Sequence, residues 1–270
     1  MNTKTQYHLI LVEGAHDLAF ITTVLKKKQK LNEIKQGLEL QYFPNEHRFW
    51  ENLFPKQIKK FHELVRFPSI IHNTSNTLSI CVKQMGGKSN LENEAMQDIF
   101  KVNSEFKTEI SSLGIILDAD DADINRTFEN IKKTLENIFD SKSVPQKLGT
   151  VPREKLRIGV YIFPDNNSQG TLEDALLSCV TADHVFSKLR GESEKFIDDA
   201  LKNKEYKNYV KDFEINKAKV AAMVSVLKPG KTNTVSISDN DWFDAETIDK
   251  SEPVKNFYRF LLELLGIAEV

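Results

Sequence analysis

The chain has 270 residues, 40% of them apolar and 28% charged, which sets aside disorder, collagen and coiled coil and leaves one large or two small globular domains. Lysine and arginine number 37 against 39 acids, so the net charge of -2 makes no global electrostatic case for nucleic acid, and any basic groove has to be local. Two cysteines, Cys81 and Cys179, lie far apart inside apolar segments. The N-terminus has no apolar leader core and no run approaches about 18 apolar residues, so the expectation is a chain of the reducing cytoplasm, neither secreted nor membrane-spanning.

In chain order, "YHLILVEG" (7–14) reads as a strand, and Leu18, Phe20, Ile21, Val24 and Leu25 recur at helical spacing, predicting a helix over 16–30. "LELQYF" (38–43) reads as a second strand, 44–76 as a segment of short helices, and "NTSNT" (73–77) as a turn. "LSICVKQMGG" (78–87) is a strand ending in two glycines, followed by a helix over 91–101. "LGIILDAD" (113–120) is the clearest strand and 124–139 the clearest helix. "RIGVYIFP" (157–164) is a strand and "TLEDALLSCV" (171–180) opens a helix. The remainder is helical and charged, with a break at 227–233 and a last apolar helix near 254–265. Strands alternating with helices favour a mostly parallel sheet covered on both faces, an α/β fold whose functional residues collect beyond the carboxyl ends of the strands.

Acidic residues lie where the strands run out: Glu13 after "LILV", Asp118 and Asp120 after "GIIL", Asp165 after "VYIFP", then Glu173 and Asp174 in the next helix. Several carboxylates on one rim repel one another unless cations hold them. Mg2+ or Mn2+, which prefer oxygen ligands and keep open positions for phosphate oxygens, is the simple remedy. Asp118 and Asp120, two apart at a strand end, face the same side and can share an ion. Gly14 permits a tight turn after Glu13. Asp17 falls in the first helical turn, where it either points back to Glu13 or serves as a helix cap.

"LVEG-x-x-D", the "GG" after a middle strand, "ILDAD" and "FPDNNSQGTLEDALL" (163–177) together resemble a Toprim domain, the catalytic module of topoisomerases, bacterial primases and nucleases of the OLD type. The OLD-like branch and small stand-alone Toprim-like bacterial proteins are the nearest in pattern. The resemblance covers roughly residues 7–180 and implies a Rossmann-like, mostly parallel sheet flanked by helices. It implies Glu13 as metal ligand or general acid/base, Asp17 as the second acid, Asp118 and Asp120 as the D-x-D pair, and Glu173 completing a second metal site. Lys217 or Lys219 would be the late lysine, while Gly14, Gly86, Gly87 and Lys88 would stand against the substrate. The implied chemistry is phosphodiester cleavage of DNA or RNA with one or two ions, which in two-metal sites stand roughly 3.5 to 4 Å apart. A setting in bacterial defence or repair and a separate ATPase partner are implied too, since the chain carries no Walker motif. No winged-helix tyrosine or zinc module accompanies these residues, which disfavours topoisomerase and primase.

Other readings weigh against this one. "DADDAD" (118–123) fails as a calcium loop because Asp123 stands where glycine is needed and a strand precedes it. A haloacid-dehalogenase-type phosphotransferase with Asp118 as nucleophile leaves "LVEGAHD" unexplained. "GGKSN" (86–90) fails as a phosphate loop, since Val82 occupies the required glycine position. His16 reads as a helix-start surface residue before a contact to phosphate, Trp242 and Phe243 as a packing anchor before a base-stacking platform, and Lys26 to Lys30 as a solvated face or the flank of a nucleic-acid groove. The organisation expected is a Toprim-like domain over 1–225 with an insertion near 44–76, and an extension over 226–270 packing on it, its apolar helix (254–267) closing either on the domain or across a homodimer. A metal-dependent nuclease and a non-catalytic module binding nucleotide or protein both stay open.

Overall fold

A computed structural model describes residues 4–34, 45–54, 67–92 and 94–269. In chain order the elements are β1 (Gln6–Val12), α1 (Ala15–Gln29), β2 (Asn32–Glu33), a 3-10 segment (Asn45–Leu53), β3 (Ser69–His72), β4 (Leu78–Gln84), α2 (Lys88–Glu92), α3 (Glu94–Val102), α4 (Phe106–Glu109), β5 (Ile110–Asp118), α5 (Ile124–Glu136) and β6 (Arg157–Phe163). Helices α6 (Leu172–Ser178), α7 (Ser187–Ala200), α8 (Lys204–Lys207), α9 (Ile215–Leu227), α10 (Asn233–Asp239), α11 (Ala245–Lys250) and α12 (Glu252–Leu265) complete the chain.

The sheet has the order β2-β3-β4-β1-β5-β6. Strands β4, β1, β5 and β6 run parallel, and β3 and β2 add antiparallel at one edge. The mostly parallel α/β sheet expected from alternating strands and helices is the one observed. The four parallel strands are near-continuous apolar runs because helices cover both faces. Alternate residues divide between the faces: Leu9, Leu11, Val160 and Ile162 pack with Trp50 and α3 to α5, whereas Ile10, Val12, Tyr161 and Phe163 pack with α1, α6 and α9 to α12. The strand read at 38–43 lies outside the described residues. The turn at 73–77 joins β3 to β4. Among the described residues, no helix is long and apolar enough to cross a membrane. Cys81 and Cys179 are free and buried.

The C-terminal helix packs onto its own sheet. Ser251 and Pro253 start α12, and Val254, Phe257, Leu261 and Leu264 recur at helical spacing on its buried face. A trough receives it: Gly114 and Gly159 are register partners on β5 and β6. A Cβ on Gly114 would stand 2.6 Å from Leu264, and one on Gly159 2.7 Å from Phe260. Arg157 closes the end of the helix, donating from Nε to the Leu264 carbonyl at 2.9 Å and from Nη2 to that of Leu265 at 2.8 Å. The helix's apolar face is therefore used within the chain. At the basic end of α1, Lys26, Lys27 and Lys28 pair with Glu33, Asp241 and Asp249. Trp242 and Phe243 are buried packing anchors, as their sequence setting suggested.

Candidate functional site

Parallel strands bring their carboxyl ends to one rim, and β4, β1, β5 and β6 all end there. Glu13 directly follows β1. Its carbonyl accepts from the amides of Gly86 and Gly87 at 3.0 and 3.1 Å, which folds the end of β4 around it. That turn needs glycine, because φ is +78° at Gly86 and +127° at Gly87, where a side chain is strained. Asp17 does cap α1: its Oδ2 accepts from the Gly14 amide at 2.8 Å.

Asp118 is the last residue of β5, and its Oδ1 accepts from the Leu172 amide at 2.7 Å, fixing the start of α6 to the strand end. The strand stops there, two residues short of the predicted end. Asp120 lies in a left-handed turn with φ of +53°, held by paired backbone bonds to Gly170 of 2.8 and 3.0 Å. Lys217, from the first turn of α9, reaches both acids, with Nζ 3.4 Å from Asp118 Oδ2 and 3.5 Å from Asp120 Oδ1. Glu173 is buried on α6 and its Oε1 pairs with His16 Nδ1 at 3.0 Å.

The electrostatics of this group are unbalanced. Burial, then the charges of Asp118 and Glu13, pushes the Asp17 carboxyl well above the usual carboxylate range. Burial, then Glu173, raises Asp118 despite Lys217. Burial, then Asp120, raises Glu13. Burial acts in the same sense on Glu173, but the hydrogen bond and charge of His16, with Lys217, outweigh it and hold this carboxyl below its ordinary value. Burial opposes the charge of Lys217, yet Asp118, Glu173 and Asp120 prevail and raise it to about 12. Two buried carboxylate oxygens, Asp17 Oδ1 and Glu173 Oε2, have no hydrogen-bond partner. Each such orphan costs about 1 to 3 kcal/mol or more for a charged group.

Glu13, His16, Asp17, Asp118, Glu173 and Lys217 line a cavity of about 290 Å³. Four of the five acids expected from the sequence line this cavity, Asp120 joins them through Lys217, and of the two lysines it is Lys217 that reaches them. Lys219 turns to Asp198 on α7, 3.5 Å away, because residues two apart on a helix face apart. Lys88 donates to the carbonyls of Asp118 and Ala119, each at 3.2 Å, and so braces the end of β5. The amides of Gly14, Gly86 and Gly87 donate inward, to Asp17 or Glu13, while Gly14 itself lines the cavity. Asp165 serves its own turn, accepting from Ser168, whereas Asp174 caps α6 through the Thr171 amide and accepts from Asn216 on α9. The pairing of His16 with Glu173 is the part of the site that the sequence does not reveal. The two are 157 positions apart, and no local pattern joins them.

The donor set fits a hard divalent cation in its chemistry. Beside the imidazole of His16 it offers carboxylate oxygens, two of them buried without a partner. Among the described residues, no three His, Cys, Asp or Glu side chains are already arranged as a metal cluster. Lys217 instead supplies positive charge to Asp118 and Asp120.

Comparison with known proteins adds the lineage. The crystal structure of hypothetical protein PH0156 from Pyrococcus horikoshii OT3 is similar over 95% of this chain and 100% of its own, with a TM-score of 0.50 and 13% identity, a likeness of fold alone. No curated protein matches the chain. The family described as "Protein of unknown function (DUF3226)" matches residues 7–266, and the chain belongs to that family.

Proposed function

We propose that this chain is a Toprim-like, metal-dependent phosphodiesterase acting on nucleic acid. The observation that carries the reading is the pair of orphaned oxygens, Asp17 Oδ1 and Glu173 Oε2, in a cavity lined by four carboxylates and Lys217, with Asp120 reached by the same lysine. A buried like-charge cluster with unsatisfied oxygens is costly unless a cation is part of its working state. Glu13, Asp17, Asp118, Asp120 and Glu173 would hold Mg2+ or Mn2+, one ion or two. The chemistry a bound ion supplies there is polarisation of a phosphoryl oxygen and activation of a water. Lys217 is placed to meet negative charge developing on the phosphate. The Leu172 amide keeps the Asp118 carboxylate oriented, and Lys88 steadies the backbone beneath it. A separate ATPase is the protein partner that the Toprim resemblance brings to this reading.

A second reading has one observation in its favour. Lys217 pairs with both Asp118 and Asp120, so part of the charge is balanced by the chain itself. This suits a non-catalytic module that binds a nucleotide or a protein. Calorimetric titration of Mn2+ and Mg2+ into the parent and into an Asp118→Ala, Asp120→Ala variant separates the two, alongside hydrolysis of bis(p-nitrophenyl) phosphate. Binding and hydrolysis by the parent, both absent from the folded variant, are expected. No binding by the parent leaves the second reading standing.

A further inference from the structure

The net charge of -2 conceals a local basic and aromatic surface. Between α7 and α9 the chain reads "KNKEYKNYVK" (202–211), four lysines against one glutamate. Helix α8 runs through the middle of it, and the amides of Tyr209 and Val210 continue the coil by bonding to the carbonyls of Tyr206 and Lys207. Tyr206 and Tyr209, three apart on a helical turn, therefore share a face. They are 56% and 86% exposed, an arrangement that packing within the chain does not explain. Lys202 and Lys207 pair with Asp199 and Asp212 at the surface, contacts that compete weakly with phosphate. The ammonium groups of Lys204 and Lys211 have no carboxylate partner among the described residues, the Lys211 amide alone donating to Glu214.

This surface is continuous with the candidate site. Lys211 Nζ lies 5.3 Å from the centroid of the Phe213 ring, and Lys217 Nζ lies 5.7 Å from the same centroid. Lys211 and Phe213 line a second cavity, of about 420 Å³, together with Gln169, Asn216 and Asp120. Asp120 also faces Lys217 in the first site. The aspartates around this second cavity, Asp120, Asp121, Asp174 and Asp212, repel phosphate. Backbone contacts therefore fall to the lysines of the turn, and the cavity suits a base edge whose amino groups donate to carboxylate or amide oxygens.

The geometry points to residues 202–213 as a landing platform for a single-stranded polynucleotide, with Tyr206 and Tyr209 stacking on bases and Lys204, Lys207 and Lys211 following the backbone. Bases paired within a duplex cannot stack on such side chains, so the single strand is the form that fits. What becomes of the strand at Lys217 rests on the phosphodiesterase reading; the binding itself does not.

The test is fluorescence anisotropy of the full chain in EDTA with labelled oligo-dT, oligo-U and a duplex of equal length. At least one single strand is expected to bind more tightly than the duplex, with affinity falling as salt rises. A Tyr206→Ala, Tyr209→Ala variant should bind about tenfold more weakly or worse, and a Lys204→Gln, Lys211→Gln variant should weaken binding and flatten its salt dependence. Absence of single-strand binding, preference for the duplex, or unchanged binding by the tyrosine variant overturns the platform. Bis(p-nitrophenyl) phosphate is too short to reach the turn, and so reports on the other site separately. Hydrolysis without strand binding sinks the platform alone, whereas strand binding without hydrolysis sinks the phosphodiesterase reading alone.

Discussion

Lys217 Nζ stands 3.4 Å from Asp118 Oδ2, across the gap between the first turn of α9 and the end of β5. The distance is that of an ion pair rather than a tight hydrogen bond, so the ammonium offsets charge without locking the carboxylate. Lys217→Met is expected to lower phosphodiester hydrolysis about 100-fold or more while Mn2+ affinity, read by calorimetry, is kept or increased. An unchanged rate with normal folding would remove Lys217 from the chemistry.

Asp118→Asn should raise the stability of the metal-free protein. The amide keeps an oxygen for the Leu172 N–H and replaces a carboxyl whose ionised form is disfavoured by burial, then by Glu173 and Glu13. A gain of about 1 kcal/mol, or roughly 2 to 4 °C in Tm, is expected in EDTA. Added Mn2+ should raise the parent's Tm but not the variant's; a variant less stable than the parent in EDTA would contradict the crowding argument.

His8 links stability to acid pH. It is buried on β1, with Nδ1 2.9 Å from Ser112 Oγ on β5. Burial, then the charge of Arg157, holds its pKa down to about 3. In the unfolded chain the ring protonates near about 6.5, so between these values the unfolded state carries the extra proton. The contribution is complete above about pH 6.5 and is lost as pH falls toward 3, at up to about 1.4 kcal/mol per pH unit. Urea unfolding of the parent and of His8→Gln across pH 4 to 7 should show the parent losing more stability over that window. Parallel pH profiles would mean that His8 titrates normally.

Gly159→Val tests the trough beneath α12. Even the first atom of the new side chain would fall 2.7 Å from the Phe260 ring and 3.0 Å from Val151. Overpacking of this kind costs about 1 to 3 kcal/mol, and the clash with an aromatic ring favours the upper end. Limited proteolysis should cut near residue 250 in the variant and spare the parent. Equal resistance would show that α12 can move without loss.

Much of the framework is legible in the sequence for a single reason. Parallel strands buried on both faces are written as uninterrupted apolar runs, so β1, β4, β5 and β6 stand out. The two-residue β2 and the four-residue β3 carry too little pattern to be told from a loop. At the site, Glu13 and Asp118 are readable because each directly ends or follows a strand. Asp120 reaches Lys217 for a different reason than strand pleating: a left-handed turn and a bridge to Gly170 aim it. The choice of Lys217 over Lys219 depends on which face of α9 meets the rim, and nothing in "INKAKV" fixes that. The pairing of His16 with Glu173 is a product of topology, visible only once α6 is laid beside α1.

The placement of α12 also bears on how the protein is made. Synthesis delivers the sheet long before it delivers residues 252–265. In the interval Tyr161, Phe163 and the Gly114–Gly159 trough have α1 beside them but lack the cover of α12, and partly covered aromatic surface of this kind invites self-association. That face of the fold is therefore sealed last, when residues 252–265 become available to it.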